Sequence, residues 1–247
     1  MRLDRFLTIT GAAASRRDAK NLIKNRLVTV NDIKAVSPEQ QTDPDNDRVF
    51  VKGEQLFYRQ YRYFLLNKPK GVISATKDRI SDTVLSLIPE ADPKSYFPVG
   101  RLDIDTEGLL LITNDGAFAH RLTSPKKEVP KTYLAVVSGM VSEDGVKRLE
   151  SGIEFADFTS KPAKYRFLSG NAESTTCCLT ITEGRFHQVK RMFHAVGNEV
   201  LSLKRIQIGG LRLPDNLPLG AYREYTSEQL YEAVFQLDET TDKGRPV

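Results

Sequence analysis

An acidic loop followed by a short apolar run constrains this chain more than any other segment. Asp103, Asp105 and Glu107 stand on alternate residues just before the run Leu-Leu-Leu-Ile at 109–112, and Asn-Asp-Gly at 114–116 forms a strong turn signal. The pattern predicts a loop that leads into a buried strand. Such a loop can hold one carboxylate rigidly at the rim of a cleft.

The composition is that of an ordinary globular protein. The chain has 247 residues, of which 40% are apolar and 28% charged, enough to bury a large core in one or two domains. Its first residues contain no apolar signal region, and no apolar run could span a bilayer, which predicts a cytoplasmic protein without a membrane partner. The two cysteines, Cys177 and Cys178, are adjacent, which excludes an ordinary disulfide framework and a four-cysteine zinc site.

The net charge of +4 is unevenly distributed. Residues 1–34 carry eight Lys and Arg against three acids, residues 185–212 carry six against one, and residues 224–247 carry two against six. Two basic regions and an acidic end predict a polyanionic partner, most simply a nucleic acid. Charge alone does not choose between RNA and DNA.

Changes in composition divide the chain into a small module at 1–58, a larger domain at 59–236 and a disordered tail at 237–247. In the larger domain, strands are interrupted irregularly by helices, which predicts an α+β fold around a mainly antiparallel mixed sheet with flanking helices. The predicted strands are 63–66, 72–74, 109–112, 133–137, 177–181 and 200–208, and the predicted helices are 82–87, 117–122, 142–149, 187–196 and 227–235.

A basic helix is predicted in the small module. Ser15 and Asp18 form a capping-box-like start, and an apolar stripe follows at helical spacing. The helix carries four cations, three of them at every fourth position: Arg16, Arg17, Lys20 and Lys24. From the residues alone, these cations form either a solvated helix face or a grip on phosphate groups.

The small module resembles an S4 RNA-binding domain. The resemblance rests on Arg-Leu-Asp-Arg-Phe-Leu at 2–7, Ser-Arg-Arg at 15–17 and Val-Thr-Val-Asn at 28–31. It implies that Arg16, Arg17, Lys20 and Lys24 bind RNA phosphates, which would place the protein on RNA and contribute little to sequence choice.

The acidic loop admits several chemistries. A divalent-metal site, an exposed loop and a catalytic carboxylate are all compatible with Asp103, Asp105 and Glu107. Arg101 precedes Asp103 by two residues, so in extended chain both side chains point to one side. Arg101 could fill the space left by an extruded base, hold a phosphate, or pair with Asp105 or Glu107.

Two further segments carry candidate site residues. Tyr133 begins a strand in Lys-Thr-Tyr at 131–133, where a tyrosine is otherwise a half-buried core residue. Glu-Gly-Arg-Phe-His-Gln-Val-Lys-Arg-Met at 183–192 turns from a strand into a basic helix, and its His187 is either a general base or a structural hydrogen-bonding group. The three histidines lack the spacing of a zinc triad.

Four motifs, in one order, resemble those of the RsuA-type ribosomal RNA pseudouridine synthases. They are Asn-Lys-Pro-Lys-Gly at 67–71, Gly-Arg-Leu-Asp at 100–103, Lys-x-Tyr at 131–133 and Gly-Arg-x-His-Gln-Val-Lys-Arg at 184–191. With the S4-like module, the resemblance covers about residues 1–235.

The resemblance implies a role for each site residue. Asp103 would be the nucleophile, Tyr133 would stack on the target base and assist proton removal from C5, and Arg185 would pair with Asp103 and keep it charged. The residues implied in RNA binding within the larger domain are Arg101, Lys190, Arg191 and Leu203, the last as an apolar contact whose alternative is plain core.

The resemblance also implies an isomerase that needs no cofactor and no metal. Its partner would be ribosomal RNA, with small-subunit 16S RNA favoured, either free or in a pre-ribosomal particle, and the protein would be a monomer. Three alternatives remain at this point: a synthase for large-subunit 23S RNA, a non-catalytic S4 protein associated with ribosomes, and a metal-dependent hydrolase that uses the three acids.

Overall fold

The computed structural model describes residues 1–235, and the chain divides into two compact units between Gln60 and Tyr61. This division falls two residues after the boundary predicted from composition. The predicted tail at 237–247 lies outside the described residues. No helix within residues 1–235 has the length and apolar character needed to cross a membrane.

The first unit combines two helices with a small antiparallel sheet whose strand order is β2-β1-β3-β4. Its elements are α1 Leu3–Ile9, α2 Arg16–Lys24, β1 Val28–Val30, β2 Ile33–Lys34, β3 Val49–Val51 and β4 Glu54–Leu56. Helices and strands share one apolar cluster, to which Phe6, Ile23 and Val49 contribute fully buried side chains. Burial of this cluster holds the short elements together, because none is long enough to be stable alone.

Helix α2 begins as the sequence predicts. The Ser15 hydroxyl accepts a hydrogen bond from the Asp18 backbone N–H at 3.2 Å and donates to the Asp18 carboxylate at 2.6 Å. Ala19 and Ile23 face the core, whereas all four basic side chains of the helix are exposed. The cations are therefore free to meet an anionic partner.

The second unit is built on a large sheet with the order β13-β5-β7-β11-β8-β10-β9, in which β12 also pairs with β11 and β6 with β7. The strands are β5 Tyr63–Lys68, β6 Phe97–Pro98, β7 Glu107–Thr113, β8 Lys131–Ser138, β9 Lys164–Gly170, β10 Ser174–Ile181, β11 Val200–Ile208, β12 Leu211–Arg212 and β13 Tyr222–Tyr225; the helices are α3 Gly116–Thr123, α4 Glu143–Ser151, α5 Gln188–Ala195 and α6 Ser227–Phe235. Among the described residues, only the β7–β11 pair is parallel. The mainly antiparallel α+β prediction is confirmed.

The apolar run of β7 is unbroken because both faces of the strand are covered. Leu109 and Leu111 belong to one buried cluster, and Leu110 and Ile112 belong to the cluster on the opposite face. Each of these side chains is fully buried, and such burial contributes about 2 kcal/mol per side chain. Strand β7 is thus a fixed support for the acidic loop that precedes it.

Three local predictions are wrong or incomplete. Residues 72–74 form no strand but contain an isolated parallel bridge between Ile73 and Thr83, and the Ser74 hydroxyl donates to the Leu102 carbonyl and accepts from its N–H. The helix predicted at 82–87 is a single 3₁₀ turn, Val84–Leu87. Strand β9 was not predicted, because it is a largely exposed edge strand with little apolar alternation.

The backbones of the parallel strands β7 and β11 approach each other unusually closely at Gly108. This residue has φ +102°, and a Cβ atom placed on it would lie 2.2 Å from the Arg205 carbonyl oxygen on β11. Only glycine combines that backbone conformation with that separation.

We expect Gly108→Ala to lower the free energy of unfolding by about 2–4 kcal/mol, because the methyl group meets backbone that cannot move aside. The matched control is Gly116→Ala in the first turn of α3, where a Cβ would meet no atom within 4 Å. The control should change stability by less than about 1 kcal/mol. Urea unfolding of both variants measures this, and equal effects would refute the close-approach argument.

Candidate active site

Asp103 lies in the loop between β6 and β7, and a buried lysine holds this loop in place. Lys68, at the end of β5, is fully buried, and its ammonium group donates to the carbonyl oxygens of Pro69, Asp103 and Thr106, each at 3.0 Å. Burial lowers the pKa of Lys68 to about 8. Lys68, which belongs to the Asn-Lys-Pro-Lys-Gly motif at 67–71, therefore fixes the backbone of the candidate nucleophile.

Two more contacts tie the acidic loop to the segment after β5. The Gly71 backbone N–H donates to the Ile104 carbonyl at 2.8 Å, and Ser74 holds both backbone groups of Leu102. The loop is thus attached at three successive positions, while the Asp103 carboxylate remains 27% exposed. The arrangement presents one carboxylate to solvent on a rigid support.

The neighbouring strands complete a cleft of about 380 Å³ around this carboxylate. Arg205 on β11 stands opposite both Gly108 on β7 and Tyr133 on β8, so the three strands bring their side chains to the same end of the sheet. The cleft is lined by predicted site residues from four segments: Arg101, Asp103, Tyr133, Arg185, His187, Lys190 and Leu203. Tyr133 and Leu203 are both almost fully buried, so each serves the core as well as the cleft.

Arg205 is a cleft residue that the sequence analysis missed. It is only 4% exposed; its Nε donates to the Leu109 carbonyl at 2.8 Å and its Nη1 to the Tyr133 hydroxyl at 3.4 Å. Its Nη2 has no hydrogen-bond partner among the described residues. The sequence signal that could have identified Arg205 is its position two residues after Leu203, because alternate residues of a strand lie on the same face.

Lys190 and His187 are the cationic or potentially cationic groups nearest to the Asp103 carboxylate. The Lys190 ammonium lies 3.4 Å from Asp103 Oδ2 and 2.6 Å from Asp105 Oδ1, and His187 Nε2 lies 3.5 Å from Asp103 Oδ1. The hydrogen bond from Lys190 lowers the pKa of Asp105. Asp105 therefore positions Lys190 beside the candidate nucleophile.

Arg185 lines the cleft without forming the predicted ion pair. Within the described part of the chain it makes no salt bridge with Asp103; its guanidinium lies over the Phe158 ring, 5.4 Å from the centroid. The guanidinium thus contacts an aromatic ring and not the carboxylate. Lys190 and His187 occupy the places beside Asp103 that the prediction assigned to Arg185.

A buried polar pair shapes the turn between β10 and α5. The Glu183 carboxylate accepts from the Lys161 backbone N–H at 2.8 Å and from Gln188 Nε2 at 2.6 Å, and Gln188 Oε1 accepts from the Arg185 backbone N–H at 2.9 Å. His187 has a left-handed backbone with φ +50°. The sequence analysis did not identify Glu183 and Gln188 as the groups that fix this turn.

The other predicted RNA contacts have different surroundings. Arg101 is exposed at the cleft and forms no ion pair with Asp105, Glu107 or any other described residue. Arg191 pairs with Asp157 at 3.0 Å and lies over two phenylalanine rings outside the cleft lining.

Across residues 1–235, no group of three or more His, Cys, Asp or Glu side chains is placed to hold a metal ion.

Comparison with known proteins agrees with this geometry. Residues 62–195 match the family described as RNA pseudouridylate synthase, and residues 1–49 match the S4 domain. A solved structure of a pseudouridylate synthase is similar, with a TM-score of 0.64 and 34% identity, covering 95% of this chain and 100% of that chain.

Three relatives match over nearly their whole length. The RNA pseudouridine synthase YtzG of Bacillus subtilis is 45% identical, covering 94% of this chain and 97% of the relative. Ribosomal large subunit pseudouridine synthase B of Bacillus subtilis is 41% identical (93% of each), and ribosomal small subunit pseudouridine synthase A of Escherichia coli is 38% identical (95% and 100%). The resemblance inferred from the four motifs is confirmed, and the chain belongs to the RNA pseudouridylate synthase family with an S4 domain in its first unit.

Proposed function

We propose that this enzyme converts a uridine of ribosomal RNA to pseudouridine, with Asp103 as nucleophile and without a cofactor. The observation that carries the proposal is the placement of Asp103, whose carboxylate is partly exposed in the cleft that Tyr133 lines while its backbone is fixed by Lys68. Relatives named for both ribosomal subunits support ribosomal RNA as the substrate.

The reaction suits a site of this composition. The bond between N1 and C1′ of the uridine breaks, a bond between C5 and C1′ forms, C5 loses a proton and N1 gains one. No electrons are gained or lost overall and no group is donated from outside. An ionised carboxylate can therefore serve the reaction as a covalent or basic catalyst.

Each cleft residue has a task in this scheme. The Tyr133 ring stacks on the extruded uracil, and its hydroxyl, which accepts from Arg205, assists proton removal from C5. Lys190 and His187 lie beside the Asp103 carboxylate and orient it. Leu203 packs against the base, which excludes water from the reacting atoms.

The basic side chains around the cleft hold the RNA backbone. Arg101 enters the space that the target base leaves, or contacts an adjacent phosphate, and Arg185 binds phosphate or turns to Asp103 when RNA is bound. Lys190 and Arg191 contribute further positive charge. In the first unit, the exposed cations of α2 bind phosphates and position the enzyme on its RNA.

The proposed target is small-subunit 16S RNA, free or in a pre-ribosomal particle, modified by a monomeric enzyme. Large-subunit 23S RNA is the second candidate, because the large-subunit synthase B relative is 41% identical to this chain. Mapping pseudouridines on both RNAs from cells with and without the gene tests the choice. Loss of one position in 16S RNA is expected; loss in 23S RNA instead would select the second candidate.

We expect Asp103→Asn to lower the rate of pseudouridine formation by about 10⁴-fold or more, because the amide cannot replace the ionised nucleophile. RNA affinity should change less than about threefold, since the carboxylate contributes no attraction to phosphate. Asp215→Asn, the same change at an exposed position outside the cleft lining, is the matched control and should stay within about threefold of the wild-type rate. Rates and affinities are measured on unmodified ribosomal RNA transcripts.

Two results would contradict the Asp103 assignment. One is full modification by Asp103→Asn under the same conditions. The other is loss of wild-type activity in the presence of a chelator, which would favour the metal-dependent alternative built on the three acids of the loop.

We expect Lys68→Met to lower the free energy of unfolding by about 3 kcal/mol and to reduce kcat, because buried carbonyls lose their shared donor and the Asp103 loop loosens. Lys70→Met, an exposed lysine two residues on, is the control and should leave both quantities nearly unchanged. Thermal unfolding and single-turnover kinetics provide the measurements. An unaltered kcat in a destabilised Lys68→Met variant would show that Lys68 does not position the nucleophile.

We expect the triple variant Arg16→Gln, Lys20→Gln, Lys24→Gln to bind ribosomal RNA more weakly and with less salt dependence. The slope of log affinity against log salt should fall by about 2–3, because each lost phosphate contact removes about 0.7–0.9. The control triple Lys147→Gln, Arg148→Gln, Lys164→Gln changes the same charge at exposed positions of the second unit. If both triples give equal slopes, α2 does not bind RNA phosphates.

A further inference from the structure

An exposed aromatic side chain lies between Arg185 and His187, two residues that line the active-site cleft, and it takes no part in core packing. Phe186 is 72% exposed, in the turn between β10 and α5. It belongs to none of the apolar clusters formed by the described residues. Its position is therefore not explained by core packing, although exposing a large aromatic ring to water is unfavourable.

The Phe186 ring is held in a defined orientation. It stacks on the His187 imidazole with 3.8 Å between ring centroids and 18° between ring planes. The backbone beneath it is fixed, because Gln188 accepts from the Arg185 N–H and the His187 carbonyl accepts from the Arg191 N–H. One face of Phe186 is covered by the imidazole and the high exposure leaves the other face open to solvent.

This stacked pair adjoins the nucleophile. His187 Nε2 lies 3.5 Å from Asp103 Oδ1. The Phe186 ring therefore stacks directly on the residue that stands beside the carboxylate. Arg185 and Lys190, which line the same cleft, flank the pair with positive charge. A uridine that enters the cleft is linked through one phosphodiester to its neighbour, so the neighbouring base must lie near the cleft mouth.

We propose that the open face of Phe186, backed by His187, is a stacking platform for an unpaired base next to the target uridine. The inference rests on the proposed activity at Asp103 and adds a second base-binding position to it. Proteins recognise splayed-out RNA bases by stacking them on aromatic side chains, and every base offers a face for this contact. The platform holds the strand in place once the target base has left the helix, and it contributes to binding rather than to the chemical step.

The test compares Phe186→Ala, Phe186→Leu and Phe186→Trp with wild type on an RNA oligonucleotide that contains the mapped target uridine. We expect KM to rise about tenfold for Ala and Leu with kcat almost unchanged, and Trp to retain KM within about threefold. Phe167→Ala, at another exposed phenylalanine in the same unit, is the matched control and should leave KM unchanged. Because Phe186 lies outside the core, all variants should unfold at the wild-type temperature.

A second arm identifies the contact. The nucleotides on the 5′ and 3′ sides of the target are replaced, one at a time, by an abasic ribonucleotide. On the RNA that lacks the stacked base, wild type and Phe186→Ala should have the same KM, since the partner of the ring is gone. Equal effects of Phe186→Ala on intact and both abasic RNAs, or a Leu variant with wild-type KM, would overturn the platform.

The failure of this inference is distinguishable from failure of the proposed function. If the wild-type enzyme forms no pseudouridine on any ribosomal RNA, the function proposed for Asp103 is wrong. If the wild-type enzyme forms pseudouridine and Phe186→Ala does so with unchanged KM, only the platform is wrong. Binding measured in an Asp103→Asn background should show the same tenfold loss on Phe186→Ala, without any contribution from turnover.

Discussion

The ammonium group of Lys68 is fully buried among backbone carbonyls, and the acidic loop depends on that contact. Moving a charged ammonium out of water costs several kcal/mol, and the carbonyls of Pro69, Asp103 and Thr106 offset that cost only while the loop keeps its conformation. The same hydrogen bonds thus satisfy the charge and fix the chain at Asp103. If Asp103 acts as the proposed nucleophile, it is already held in place before substrate binds.

The parallel β7–β11 pair connects this loop to the rest of the cleft. At Gly108 the two strands approach so closely that only a hydrogen fits between them, and Arg205 on the partner strand then reaches both the Leu109 carbonyl and the Tyr133 hydroxyl. One tight backbone contact therefore sets the separation between the loop that carries the carboxylate and the strand that carries the aromatic ring. Core packing on both faces of β7 makes that separation hard to change.

Features that depend on local chemistry could be predicted from the sequence, and features that depend on distant partners could not. The buried strand β7 and the cap of α2 follow from an apolar run and a Ser-x-x-Asp spacing. The segment at 72–74 has the composition of a strand, yet Ser74 pairs with Leu102, 28 residues away, and no local pattern records that partner. Edge strand β9 lacks alternation because water covers much of it.

The same distinction applies to the site. The family resemblance predicted that Asp103, Tyr133 and Leu203 lie in one site. It did not predict that the basic side chains of Lys68 and Arg205 are buried, because burial of a basic residue has no local sequence pattern. The predicted Arg185 ion pair is not formed within residues 1–235, where the guanidinium lies over the ring of Phe158 from a distant segment.

These contacts determine how much of the positive charge near the cleft is already compensated by carboxylates. Lys190 is shared between two carboxylates and Arg191 is paired with Asp157, so much of their charge is already compensated. Arg101 and Arg185 form no salt bridge within residues 1–235, so no ion pair among the described residues competes with a phosphate for them. In the proposed scheme, the segment at 184–191, which was predicted to supply a partner for Asp103, therefore supplies in part a surface for the RNA strand.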